Sequence, residues 1–122
     1  MPRILCVEDN EDNVALLATW LELEGDIEVI VATDGAQGVQ LAAQHAPDLV
    51  LMDLFLPVID GYEAIRRIRA NAGSRRIPII ALSAHTMAED RDRAIAAGCD
   101  DFEAKPIVFP RLLAKIRRLL AA

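Results

Sequence analysis

Apolar and polar positions alternate along this chain in blocks rather than residue by residue. Short apolar runs end in polar residues, and each is followed by a segment with helical spacing. The strongest run is Pro47-Asp48-Leu49-Val50-Leu51-Met52-Asp53-Leu54, closed by Pro57. A continuous apolar run of this length reads as a strand buried on both faces, and therefore as part of a parallel sheet. In such sheets chemistry gathers outside the carboxyl ends of the strands, where Asp53 falls. Arg3–Val7, Glu28–Ala32, Pro78–Ser83 and the short Asp101–Ala104 read as the other strands.

The intervening segments have a period of 3.6. Asp12 or Asn13 is expected to cap a helix running through Glu24. It has two apolar stripes, Val14, Leu17, Ala18, Leu21 and Leu16, Trp20, Leu23, which together exceed one packed face. One stripe is core and the other a rim contact or docking face; spacing does not say which. Gly25 closes that helix. Asp34 is expected to cap a second, reaching about Ala46, with Ala36, Val39 and Ala43 along one face.

Asp60-Gly61 opens a third helix, with Tyr62, Ile65 and Ile68 inward and Arg66, Arg67 and Arg69 outward, before a turn at Asn71-Ala72-Gly73-Ser74. A fourth, over roughly Met87 to Ala97, has Glu89 to Arg93 all charged and little apolar content beyond Met87, Ala94 and Ile95, so loose anchoring is expected. The last helix starts near Pro110 and carries Leu112, Leu113, Ile116, Leu119 and Leu120 to the end of the chain. Five β-α steps joined by right-handed crossovers predict a doubly wound, five-stranded parallel sheet of order 2-1-3-4-5. This is a flavodoxin-like (βα)5 three-layer sandwich, expected as one domain over residues 1–122. That order sets the first and third strands side by side and brings Glu8, Asp9 and Asp53 together.

Composition narrows the function. No apolar run is long enough to span a bilayer and no signal-peptide pattern follows Met1, so a soluble, cytoplasmic protein without membrane insertion is expected. Residues 1–61 hold 12 acids against one arginine, and the remainder 7 against 12 basic residues. No basic groove or aromatic platform emerges, which argues against direct nucleic-acid binding. Cys6 and Cys99 lack metal or redox spacing and read as core residues, and His45 as surface.

Three converging carboxylates repel one another and need a cation. An all-oxygen donor set suits Mg²⁺, with Mn²⁺ as a substitute, and the lack of neighbouring His or Cys argues against zinc. The other strand ends offer the Ser83 hydroxyl, the Ala84 backbone N–H and the Lys105 ammonium. A carboxylate facing a cation, a lysine and a hydroxyl is a nucleophile toward phosphoryl groups, so the set describes an aspartyl-phosphate site. Singly, Glu8-Asp9 reads as a helix cap, Ser83 as a turn hydroxyl and Lys105 as a surface lysine. The argument rests on their conjunction at one edge.

With these residues in place the chain resembles the receiver domain of two-component response regulators. The matching stretches are Val7-Glu8-Asp9-Asn10, Leu51-Met52-Asp53, Leu56-Pro57, Asp60-Gly61, Leu82-Ser83-Ala84, Gly98-Cys99-Asp100-Asp101-Phe102 and Lys105-Pro106. The resemblance implies that Asp53 accepts phosphate from a histidine kinase or a histidine phosphotransfer protein. It implies that Asp9, Asp53 and the Phe55 carbonyl hold Mg²⁺ directly, Glu8 through water. Ser83 and the Ala84 amide would grip the phosphoryl oxygens, with Lys105 paired to one of them across a cis Lys105–Pro106 bond.

By the same resemblance Ser83 and Phe102 form the switch that changes the face made by the fourth helix, fifth strand and last helix. Phe55 and His85 lie where the family tunes acyl-phosphate lifetime, in a direction the sequence leaves open. The domain is not a conventional enzyme in this reading, and its partners are the phosphodonor and a downstream effector protein. If the chain is the whole protein, the resemblance implies a stand-alone receiver, monomeric or weakly dimeric and most like phosphorelay, hybrid-kinase and cell-cycle single-domain receivers; a domain cut from a longer protein stays open. A phosphate-independent adaptor of the same fold is the alternative, although such adaptors usually lose one of Asp9, Asp53, Ser83 or Lys105. A flavin protein would want a glycine- and hydroxyl-rich loop where Glu8-Asp9 stands, and an aspartate-nucleophile phosphatase an acid at Phe55.

Overall fold

Alternate side chains of each strand point to opposite faces of a sheet, so a strand of continuous apolar sequence requires a core on both sides. The computed structural model, which describes residues 1–71, 76–84 and 88–121, meets that requirement. Its elements are β1 (Arg3–Val7), α1 (Glu11–Leu23), β2 (Glu28–Ala32), α2 (Gly35–His45), β3 (Leu49–Asp53), α3 (Gly61–Asn71), β4 (Ile79–Ser83), α4 (Ala88–Ala97), β5 (Asp101–Ala104) and α5 (Phe109–Ala121). The strands form one parallel sheet in the order β2-β1-β3-β4-β5.

Ile4, Cys6, Leu49, Leu51, Ile80 and Leu82 face α1 and α5, packing with Leu17, Leu21, Leu112 and Ile116. Leu5, Val7, Val50, Met52, Ile79 and Ala81 face the other way, against Ala42, Ile65, Ile68, Ala94 and Phe102 of the later elements. Every residue of β3 and β4 is buried. The three-layer, doubly wound architecture follows as expected.

Several local expectations need correction. The cap of α1 is Asn10, whose Oδ1 accepts from the Asn13 amide at 3.0 Å, rather than Asp12 or Asn13. Capping one turn earlier places Glu11 and Asp12 in the first turn, beside the positive end of the helix. In α2 the buried positions are Gly35, Gly38 and Ala42, while Ala36 and Ala43 are exposed. The sheet-facing stripe is made of small residues because a Cβ at Gly38 would lie 2.9 Å from Val7 Cγ1. The last helix begins at Phe109.

Arg69 does not point outward. It is partly buried, its Nε donating to the Gly98 carbonyl at 2.9 Å, Nη1 to the Ile77 carbonyl at 2.5 Å, and Nη2 to Asp100 at 2.7 Å. Asp100 also accepts from the Ile79 amide, so the pair ties α3, β4 and the end of α4 together at the pole away from Asp53. Ala72–Ser74 and Met87 lie outside the described residues.

Candidate functional site

The first acidic contribution comes from the carboxyl end of β1. Glu8 is 1% exposed and Asp9 is exposed. The chain turns sharply after them: Glu8 Oε1 accepts from the Asn10 amide at 3.2 Å, and Asn10 then starts α1. Asp53 ends β3 next door, 4% exposed, with Oδ1 accepting from the Phe55 amide at 3.2 Å. The β3–α3 turn behind it is tight because Gly61 donates to the Leu54 carbonyl at 3.0 Å. A Cβ at Gly61 would overlap the Asp53 carbonyl oxygen, so this position needs glycine.

Glu8, Asp9 and Asp53 each offer a carboxylate oxygen, and these oxygens lie within 4.8 Å of one another. Lys105, just past β5, joins them: its Nζ donates to Glu8 Oε2 at 2.7 Å and to Asp53 Oδ2 at 3.2 Å. Burial pulls the ammonium down, but the hydrogen bond to Glu8 and the charges of Asp53 and Glu8 outweigh it and hold Lys105 above its ordinary value. Three carboxylates and one ammonium leave two negative charges, which one divalent cation would neutralise. With only oxygen donors, the set fits Mg²⁺.

The remaining candidates surround this cluster unevenly. Ser83 is fully buried at the end of β4, paired in register with Ala104, and its carbonyl accepts from the Lys105 amide at 2.8 Å. Ala84 follows with an exposed position. The Lys105–Pro106 peptide is cis. Phe102 is inward, 7% exposed, in the core beneath α3 and α4. Phe55 is 49% exposed at the mouth of the site. His85 lies outside the described residues.

Beside Lys105 a groove of about 380 Å³ runs along α1, lined by Leu16, Trp20, Ala84, Pro106 and Ile107 among others. This settles the two stripes of α1: Leu17 and Leu21 are core, whereas Leu16 and Trp20 form the rim and Leu23 is largely exposed. Trp20 leans on Phe109 of α5 with ring centroids 5.1 Å apart. Sequence reasoning missed Asn10, whose signal was its place three residues before Asn13, and Glu103, which sits within β5 with no distinguishing local pattern. Glu103 is 1% exposed, held by Arg111 at 2.5 Å and Lys115 at 2.9 Å.

The likenesses to known proteins converge on one family. Residues 4–117 match the family model of the response regulator receiver domain. The chain is 37% identical over 121 residues to the polar-differentiation response regulator DivK of Brucella anthropi, covering 98% of both chains. It is 37% identical over 119 residues to the transcriptional regulatory protein PrrA of Mycobacterium tuberculosis, of which it spans only half the length. Among solved structures, the receiver domain of the sensor histidine kinase PA1611 of Pseudomonas aeruginosa PAO1, which holds magnesium in its active-site cleft, superposes with a TM-score of 0.91. Its identity is 40%, over 99% of this chain and 98% of that one. Fold, acidic edge and family match agree: the chain belongs to the response regulator receiver domains of two-component signalling.

Proposed function

We propose that this chain, as one receiver domain over residues 1–122, takes a phosphoryl group onto Asp53 from a histidine kinase or histidine phosphotransfer protein. The observation that carries this reading is the Lys105 ammonium held between Glu8 at 2.7 Å and Asp53 at 3.2 Å, beside an acidic cluster within 4.8 Å. An Asp53 carboxylate oxygen attacks the phosphorus of a phosphohistidine, the O–P bond forms, the N–P bond breaks, and the imidazole leaves. Lys105 then exchanges its contact with Asp53 for a phosphoryl oxygen, and Ser83 and the Ala84 amide donate to the others.

Asp9, Asp53 and the Phe55 carbonyl would hold Mg²⁺, with Glu8 through water and Mn²⁺ as a substitute. When bound, the ion supplies charge neutralisation of the transferring phosphoryl group. Phe55 at the mouth controls water access and so the lifetime of the acyl phosphate, together with His85. The donor docks over the groove beside Lys105, where Leu16, Trp20 and Ile107 offer apolar surface.

Phosphorylation draws Ser83 toward the phosphate and fixes Phe102 inward, which changes the α4-β5-α5 face and with it an effector protein's affinity. The domain is a signalling switch rather than a conventional enzyme, monomeric or weakly dimeric, and acts in the cytoplasm. Among the described residues no helix is long and apolar enough to cross a membrane.

Intact-mass measurement after incubation with Mg²⁺ and acetyl phosphate tests the reading. A phosphate-sized gain that needs both Mg²⁺ and Asp53, and is lost in Asp53→Asn, is expected. No gain in a folded, Mg²⁺-loaded chain would instead support a phosphate-independent adaptor.

A further inference from the structure

Among the described residues α4 has little to hold it to the sheet. It buries only Ala94 and Ala97, and Ile95 is 52% exposed. Two alanines remove little apolar area from water, so another contact must contribute to its position. Arg93 supplies one: its guanidinium carbon lies 4.0 Å from the centroid of the Tyr62 ring on α3. A guanidinium over an aromatic face is attracted by the ring quadrupole, and this contact spans the two helices.

Tyr62 is 2% exposed and packs with Ala94, Ala97 and Phe102 in one cluster. Its hydroxyl is nevertheless buried without a hydrogen-bond partner among the described residues. Buried hydroxyls are normally paired, and one left unpaired disfavours the arrangement that buries it. The ring of Tyr62 therefore holds α4 down while its hydroxyl works against the same position.

We propose that Tyr62 and Arg93 form a latch between α3 and α4, which sets the balance between the docked helix and a second position in which the Tyr62 hydroxyl reaches water. The link from latch to signalling rests on the switch proposed above, since α4 belongs to the face that changes. The latch itself operates in the resting chain.

Hydrogen exchange of α4 peptides, read by mass spectrometry on the full chain without phosphodonor, tests it. Arg93→Ala should speed α4 exchange about two- to fivefold, the loss expected for an exposed cation–π contact. Alanine is the better helix former, so without a latch the same substitution would slow exchange. Arg93→Lys should restore part of the protection. Tyr62→Phe keeps the ring and removes the hydroxyl, and should slow α4 exchange by about fivefold or more.

Unchanged or slower exchange in Arg93→Ala, or unchanged or faster exchange in Tyr62→Phe, overturns the latch. Repeating the measurement with Mg²⁺ and acetyl phosphate separates the two ideas. If the resting variants behave as described but phosphorylation leaves native α4 exchange unchanged, the latch stands and the switch reading falls. If phosphorylation alters α4 exchange while the resting variants match the native chain, the switch stands and the latch falls.

Discussion

Tyr62 and Lys105 tie this domain's stability to pH in the same direction as the buried thiols of Cys6, pushed up to about 12 by burial and the nearby Glu8 charge, and Cys99, pushed up to about 11 chiefly by burial. Burial raises the Tyr62 phenol, with the Asp90 carboxylate adding to the effect and the Arg93 guanidinium opposing it. A phenol raised on folding favours its neutral form in the native state. Its contribution is fully present below the ordinary tyrosine value of about 10 and is lost as pH rises through the native value. Lys105 is raised as well, because Glu8 and Asp53 outweigh its burial, so its contribution also holds below its unfolded value and disappears at higher pH. Stability to urea should therefore be flat across neutral pH and fall in the alkaline range. The chain has one tyrosine, so tyrosinate absorbance reports Tyr62 alone. Its midpoint should lie above that of the urea-unfolded chain, and Tyr62→Phe should shallow the alkaline fall. Coincident midpoints for native and unfolded chains would contradict this account.

The elements show which signals a sequence carries and which it conceals. The strands were legible because parallel strands are apolar on both faces, and Asp53 stood out because it breaks the most apolar of them. The convergence of the candidate site residues was legible because they sit at the ends of different strands, and topology alone brings such ends together. The inward face of α2 was hidden, since Gly35 and Gly38 mark close approach rather than hydrophobicity. Arg69 was hidden because helical period groups it with Arg66 and Arg67, and its partners Ile77, Gly98 and Asp100 are remote in sequence.

Backbone strain was equally invisible at two positions. Ala46, the C-cap of α2, has φ 43°, and Val58, in the turn between β3 and α3, has φ 73°. Left-handed backbone disfavours residues with a Cβ, and most of all β-branched ones. Val58 is 76% exposed, so it gives up little packing on truncation. Ala46→Gly and Val58→Gly should each raise unfolding free energy by about 0.5–1 kcal/mol, net of the glycine's extra unfolded-state entropy. Denaturant midpoints that stay constant or fall would show that the turns are not strained.

At the scale of the whole molecule, the acidic edge opposes folding until its charge is met. Glu8 and Asp53 are buried side by side with one ammonium between them, and Asp9 adds a third carboxylate within 4.8 Å. Each pair of like charges about 4 Å apart costs roughly 4 kcal/mol at an effective dielectric of 20, and Lys105 offsets only part of that. A cation bound only by the folded chain must then stabilise it by mass action, by about 2.7 kcal/mol at a concentration 100 times its dissociation constant, and so raise the melting temperature. For a domain of this size that corresponds to a rise of roughly 5–15 °C. Calcium, which prefers more ligands and longer bonds, should stabilise less at equal concentration. Asp53→Asn should melt higher than the native chain without metal, because it removes one repelling charge without leaving a cavity, and should lose most of its response to Mg²⁺. An Mg²⁺ response of full size in Asp53→Asn would place the ion elsewhere on the acidic half of the chain. Absence of any response in the native chain would mean that Lys105 already balances the cluster, and the geometry at the ends of β1 and β3 would then serve stability rather than phosphoryl transfer.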